Sequence, residues 1–173
     1  GGADALTGGG ANDVIRGGGG GDRISGGRGR DRLFGQAGND TLTGEGGGDV
    51  LAGRGGADVL RGGGGGDRLV GGGRADVLVG GDGRDVMIGG AGRDLFVLGD
   101  GGPSVLASRS DRDVVRDFGR GRDGIGFADD VSSFAEVTVI DRGPHALLRW
   151  DFGAALLLNV DAATIGAGDF VFG

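Results

Sequence analysis

The chain has 173 residues, with 25 acidic against 18 basic side chains, a net charge of −7, 48 glycines and no cysteine. The missing cysteine excludes disulfide staples and thiolate metal sites. No run approaches 18 apolar residues, so no transmembrane helix is expected. The charge is oddly drawn: 23 of the acids are Asp, only two are Glu, and every basic residue is Arg. A short carboxylate suits a turn, where it can bend back onto the backbone; solubility alone would be served as well by Glu.

In chain order, residues 1–102 form a repeat array. Of the 48 glycines, 39 fall before Pro103. An aspartate recurs every nine residues: Asp4, Asp13, Asp22, Asp31, Asp40, Asp49, Asp58, Asp67, Asp76, Asp85 and Asp94. Two residues after each stands an apolar residue, from Leu6 and Ile15 through Met87 and Phe96. Five residues before each, from Asp13 onward, stands a glycine, Gly8 through Gly89. A period of nine excludes collagen, whose cycle is three.

Written from that glycine, the unit is G-G-x-G-x-D-x-U-x with U apolar, as in Gly80-Gly81-Asp82-Gly83-Arg84-Asp85-Val86-Met87-Ile88. The first glycine is never replaced in ten copies. The second becomes Gln36, Glu45 and Arg54, and the fourth position becomes Ala11 and Arg74. The first position is therefore expected to need φ > 0 or a close backbone approach. The last three residues, x-U-x, read as a short strand with U inward, followed by a six-residue turn. Two units make a coil of 18 residues, so strands 18 apart stack at about 4.8 Å.

This nonapeptide resembles the RTX (repeats-in-toxin, haemolysin-type) calcium-binding family across residues 1–102. The resemblance implies an all-β fold, a right-handed parallel β-roll (RTX solenoid), with the eleven repeat aspartates as calcium ligands beside backbone carbonyls of the glycine turns. Calcium takes six to eight oxygens, which carboxylates and carbonyls supply. Zinc is disfavoured because the array has no Cys or His. Two stacked turns would sandwich one ion, giving up to five gaps in the Asp4 series and four in the Asp13 series, nine in all.

The outward strand positions change along the array, from Arg16, Arg23, Ser25, Arg32, Thr41 and Thr43 to Val77, Val79, Val86, Ile88, Leu95 and Val97. Apolar residues on an outer face want a cover, so the C-terminal segment is expected to pack over the last turns. The array stops where Leu98 replaces the first glycine and Pro103 the next Asp. Residues 103–173 read as a second domain, a C-terminal antiparallel β cap. Strands are expected around 114–118, 125–127, 137–141, 146–151 and 154–160, with Asp141-Arg142-Gly143-Pro144 and Asp151-Phe152-Gly153 as turns. Asp113, Asp117 and Asp123 read as solvated loop or strand-end residues, with an extra calcium site as the alternative. His145 reads as a surface residue and Trp150 as cap core. The end, Gly168-Asp169-Phe170-Val171-Phe172-Gly173, is similar to the family's secretion tail, apart from the final Gly173.

The resemblance implies a secreted, extracellular module of a Gram-negative bacterium, exported by a type I (ABC-transporter) route and folding on calcium outside the cell. The chain opens at Gly1 inside a repeat and without Met, which reads as a processed piece. No enzyme activity is expected of it, because it holds no H-E-x-x-H and no G-x-S-x-G. The alternative function is an extracellular polysaccharide (polyanion)-binding module. Nine bound calcium ions would move the net charge from −7 to about +11, leaving the arginines dominant.

Overall fold

A computed structural model describes residues 1–98, 112–119, 123–127, 138–150 and 153–171. The array folds into β1 (Ala5–Gly9), β2 (Val14–Gly19), β3 (Arg23–Arg28), β4 (Arg32–Ala37), β5 (Thr41–Gly46) and β6 (Val50–Gly55). It continues through β7 (Val59–Gly64), β8 (Arg68–Gly73), β9 (Val77–Asp82), β10 (Val86–Ala91) and β11 (Leu95–Leu98). The C-terminal part supplies β12 (Arg112–Val115), β13 (Gly124–Phe127), β14 (Thr138–Asp141), β15 (Ala146–Trp150), β16 (Gly153–Leu157) and β17 (Phe170–Val171).

Most array strands are six residues long, twice the expected three. They run on from x-U-x through the first three residues of the next unit, leaving only three residues to turn. Odd and even strands lie in separate sheets. The first sheet runs β1-β3-β5-β7-β9-β11-β13-β17, and the second runs β14-β15-β16-β12-β10-β8-β6-β4-β2. Array neighbours are parallel and in an 18-residue register, for example Leu6↔Ile24 and Leu33↔Leu51. This is a parallel β-roll.

The register stacks every U residue on the next, so each sheet carries one file of apolar side chains facing the other sheet. Leu33, Leu42, Leu51, Leu60, Leu69, Leu78, Met87 and Phe96 have no solvent exposure. Each contributes about 1.5–3 kcal/mol of burial. Leu6 and Ile15, in the first two strands, are half-buried.

The expected cover over the outer faces is not what the described cap strands form. They lengthen both sheets instead. β12 pairs parallel with β10 (Met87↔Val115) and β13 with β11 (Phe96↔Ile125). β16 and β17 follow in parallel on β12 and β13. Only β14-β15-β16 form the antiparallel arrangement the sequence suggests. The physical reason lies in the inward files: Met87 and Phe96 would otherwise end the core exposed, and Val115, Ile125, Leu157 and Phe170 extend it instead. Val77, Val79 and Val97 remain half-buried within their own sheet face. The tail is drawn into the fold, since Phe170 stacks on Phe127 at 5.8 Å between ring centres. No helix among the described residues is long and apolar enough to cross a membrane.

Candidate metal centre

The short turns place each repeat aspartate at the sheet edge, two residues before a core side chain, with its carboxyl drawn inside. Asp22, Asp31, Asp40, Asp49, Asp58, Asp67, Asp76, Asp85 and Asp94 are at most 2% exposed. Asp13 is half-buried and Asp4 is exposed. One carboxylate oxygen has a repeating job. Asp22 Oδ1 accepts from the Asp4 amide at 2.8 Å, Asp31 Oδ1 from Asp13 at 2.7 Å, and so on up both columns to Asp94 Oδ1 and Asp76 at 2.9 Å. Each carboxylate thus ties its turn to the one 18 residues earlier.

The other oxygen has no such job. Oδ2 of Asp13, Asp22, Asp31, Asp40, Asp49, Asp58, Asp67, Asp76 and Asp94 is buried and accepts no hydrogen bond. A buried carboxylate oxygen without a donor is costly, and a column of them is costlier. Burial of these carboxyls favours their protonated form. Burial pushes the Asp67 carboxyl up to about 6 and Asp76 up to about 7, each opposed by the amide it binds and reinforced by the next carboxylate in its column. Asp40, Asp49, Asp58 and Asp94 are raised for the same leading reason.

These oxygens face the invariant first glycine of the unit. A Cβ on Gly8 would stand 2.5 Å from Asp13 Oδ2 and 2.6 Å from the Gly26 carbonyl oxygen. All ten first glycines meet their Asp Oδ2 in this way, and none has positive φ. Close approach, not φ, is what keeps this position glycine. Positive φ belongs to the second and fourth positions, where Gln36, Glu45, Arg54 and Arg74 sit at +79° to +83°. Arg74 carries that strain, whereas Ala11 avoids it by staying out of the left-handed region.

The donors around each turn are thus one carboxylate oxygen and backbone carbonyls. Among the described residues no three Asp, Glu or His side chains converge, so carbonyls must complete any shell. An oxygen-only, anionic, backbone-rich cradle fits a hard cation of calcium type. His145 lies far along the chain in the cap, where its Nδ1 accepts from the Asn159 amide at 3.0 Å.

Three cap aspartates prove to be part of the ladder. Asp113 Oδ1 accepts from the Asp85 amide at 3.1 Å, and Asp123 Oδ1 from the Asp94 amide at 3.0 Å. They are spaced 28 and 29 residues from their partners instead of 18. Asp117 binds the Gly89 and Gly90 amides at 2.9 and 2.7 Å, closing the last glycine turn. Asp113 is 5% exposed, so the solvated reading fails for it. The available signal was the pair Asp-x-apolar, present in Asp113-Val114-Val115 and Asp123-Gly124-Ile125 without the preceding glycine phase.

Residues 1–33, 25–60, 34–69, 61–96 and 70–104 match the RTX calcium-binding nonapeptide repeat (4 copies). Together the matches span residues 1–104 of the 173. None of the curated protein sequences matches the chain. Similar solved structures include the extracellular lipase LipA from Serratia marcescens, at 16% identity and TM-score 0.43, covering 99% of this chain. This chain spans only 38% of that lipase chain. The AlgE6R3 subunit of the Azotobacter vinelandii mannuronan C5-epimerase is 25% identical with TM-score 0.43, covering 94% of this chain and 79% of its own. The AlgE6R2 subunit of the same enzyme is 26% identical with TM-score 0.39, covering 78% and 88%.

Proposed function

The chain belongs to the RTX calcium-binding nonapeptide repeat family, and from that premise we propose that it is the export-coupled folding module of a secreted protein. Its repeats bind calcium. The finer reading is that binding drives folding, that folding occurs outside the cell, and that export runs through a type I (ABC) transporter of a Gram-negative bacterium. Up to nine ions fill the gaps between stacked turns, held by the repeat aspartates and turn carbonyls.

The observation that carries this reading is the double column of buried Oδ2 atoms without hydrogen-bond donors. A cation supplies the missing partner at every step and cancels the repulsion between stacked carboxylates. Linkage sets the switch. With site affinities of about 0.1 mM and about 1 mM external calcium, each filled site adds about 1.4 kcal/mol. At sub-micromolar calcium the same contribution is close to zero. The chain then stays extended inside the cell, threads a transporter and folds on arrival. In this reading the chain itself is not an enzyme; its part is to fold, and any catalysis belongs to a joined domain.

Co-expression with a type I exporter tests the proposal. The chain should appear in the medium when the exporter is present and stay in the cell when it is absent, and a fusion to a fast-folding, calcium-independent domain should be retained even with the exporter. Equal export of the fused and unfused chains would overturn the export reading.

A further inference from the structure

The fifth position of the unit, directly before the repeat aspartate, is Asn in two units and Gly, Ala or Arg in every other. Both asparagines make the same bond. Asn12 Oδ1 accepts from the Arg30 amide at 2.7 Å, and Asn39 Oδ1 accepts from the Ala57 amide at 2.9 Å. Each bond reaches the equivalent position of the turn 18 residues later.

The aspartate beside each asparagine sends a bond the other way. Asp13 donates its amide to Asp31 Oδ1 at 2.7 Å, and Asp40 donates its amide to Asp58 Oδ1 at 2.8 Å. Residues 12–13 are thus pinned to 30–31, and 39–40 to 57–58, by two adjacent bonds of opposite sense. One such pair lies in each aspartate column. The other turns have only the aspartate half of the clamp. The amides of Gly48, Gly66 and Ala75 lie over Arg30, Gly48 and Ala57, which carry no side-chain acceptor.

The clamp also sets a carbonyl. A peptide unit is planar and trans, so its N–H and C=O point in opposite directions. Holding the Arg30 amide down onto Asn12 therefore aims the Gly29 carbonyl up toward the next turn, where its oxygen lies 1.6 Å from the place of a Cβ on Gly47. The Ala57 bond does the same for the Gly56 carbonyl. The asparagines fit closely beneath the turn they hold: a Cβ on Gly29 or Gly56 would stand 3.1 Å from the Asn oxygen. Both side chains are exposed, so each bond adds little to the fold as such.

The candidate metal donors are carboxylates and turn carbonyls. Fixing the separation of two turns and the direction of a carbonyl beforehand reduces the ordering that binding must otherwise supply. A held gap also has a set size, and selectivity among divalent cations follows cavity size and flexibility. We propose that Asn12 and Asn39 are positioning residues that preorganise one calcium gap in each column, Asp13–Asp31 and Asp40–Asp58. These two gaps hold calcium more tightly, and more selectively against strontium, than gaps with Gly, Ala or Arg before the aspartate. The inference rests on the calcium reading above, which places ions between stacked turns. A plain turn cap would instead support the roll equally for any ion that fills it.

The test is competition titration of the 173-residue chain against a chromophoric calcium chelator, with strontium in a parallel series. The two clamped gaps should form a separate class, about threefold to tenfold tighter than the rest. Asn12→Ala and Asn39→Ala should each remove one ion from that class, and together they should abolish it. The double variant should also lower the preference for calcium over strontium by about threefold. Asn39→Asp keeps an acceptor oxygen for the Ala57 amide and should restore the class. Ala57→Asn places an acceptor beneath the Ala75 amide and should add a third tight ion, which keeps the proposal testable where an alanine variant folds poorly. Hydrogen exchange at limiting calcium should protect residues 30–31 and 57–58 before the other turns. A single uniform class of ions, or a tight class unchanged in the double variant, overturns the proposal and leaves calcium binding intact. A lower melting temperature with tight-ion count and ion preference unchanged makes the asparagines plain turn caps, and overturns it equally. A chain that binds no calcium sinks the repeat reading and this inference with it.

Discussion

The repeat array and the cap share two sheets and one core, yet they are built on opposite principles. In the array each buried apolar residue from Ile24 to Phe96 at the U position comes with a buried carboxylate two residues before it, and the turns between carry no buried apolar side chain. In the cap the core is made from ordinary apolar residues, Leu147, Leu148, Leu157, Val160 and Phe170 among them, without a new carboxylate at each step. Among the described residues, the buried carboxylate oxygens without a hydrogen-bond donor lie in the array and not in the cap. The cap also terminates the ladder: Asp113 and Asp123 take the last amides of both columns, and Asp117 takes two more.

The sharpest way to break this contrast is to fill the space beside Oδ2. A Cβ at Gly53 would stand 2.7 Å from Asp58 Cγ, whereas one at Gly73 would have its nearest contact at 3.8 Å. Gly53→Ala should cost about 1–3 kcal/mol of overpacking and abolish the adjacent calcium site. Gly73→Ala, matching the natural Ala37 and Ala91, should stay within about 0.5 kcal/mol. Thermal melts in calcium, with ion counts by equilibrium dialysis, distinguish them; equal effects would mean that the first glycine is not special.

Next in size is charge removal. Asp58→Asn keeps an oxygen for the Asp40 amide but discards the anion. It should lower calcium occupancy by one or two ions and stability by about 1.4 kcal/mol for each. Asp113→Ala at the cap removes the acceptor of the Asp85 amide and should disturb β12 while leaving the ions of the middle turns in place. Equal ion loss from both variants would erase the distinction between array and cap.

Proton binding gives a graded version of the same comparison. In the metal-free roll Asp67 is raised to about 6 and Asp76 to about 7, against 3.8 for the free carboxyl. A raised carboxyl means that the roll binds protons more tightly than the unfolded chain. Metal-free stability should therefore rise as pH falls from above 7 toward 4, and be lost as pH climbs back through that window. Calcium needs the deprotonated form, so its midpoint concentration should rise over the same acid range. Circular dichroism against pH, with and without calcium, reads both slopes. A metal-free signal that grows with pH would have the wrong sign.

The smallest effect concerns strain. Arg74 holds φ at +81° in a position that is otherwise glycine or, once, Ala11. Arg74→Gly should add about 1 kcal/mol by relieving it, visible as a higher melting temperature in calcium.

The sequence makes the array legible because two periods coincide in it. Asp at nine and the apolar residue two places later specify both the roll and the candidate ligands. Strand length escaped that reading, because Gly18, Gly19 and their equivalents give no strand signal, yet their amides and carbonyls are held by the neighbouring coil. The reason for the invariant glycine was open between φ and close approach, and only the position of Asp Oδ2 decides it. The cap was half legible. Its strands follow ordinary alternation, but their parallel docking on β10 and β11 is hidden by 28- and 29-residue spacings that put Asp113 and Asp123 out of phase. The longer spacing does not disturb the hydrogen-bonding ladder, which keeps the same amide-to-Oδ1 bond across it. It does erase the period by which a reader would find it.

The central claim is that calcium, by partnering the buried Oδ2 columns, decides whether the roll exists. Far-ultraviolet circular dichroism of the chain at neutral pH, in EGTA and then in millimolar calcium, tests it most directly. The account predicts a largely unfolded spectrum in EGTA that converts cooperatively to a strand spectrum on adding calcium. The same strand spectrum in both solutions would contradict it.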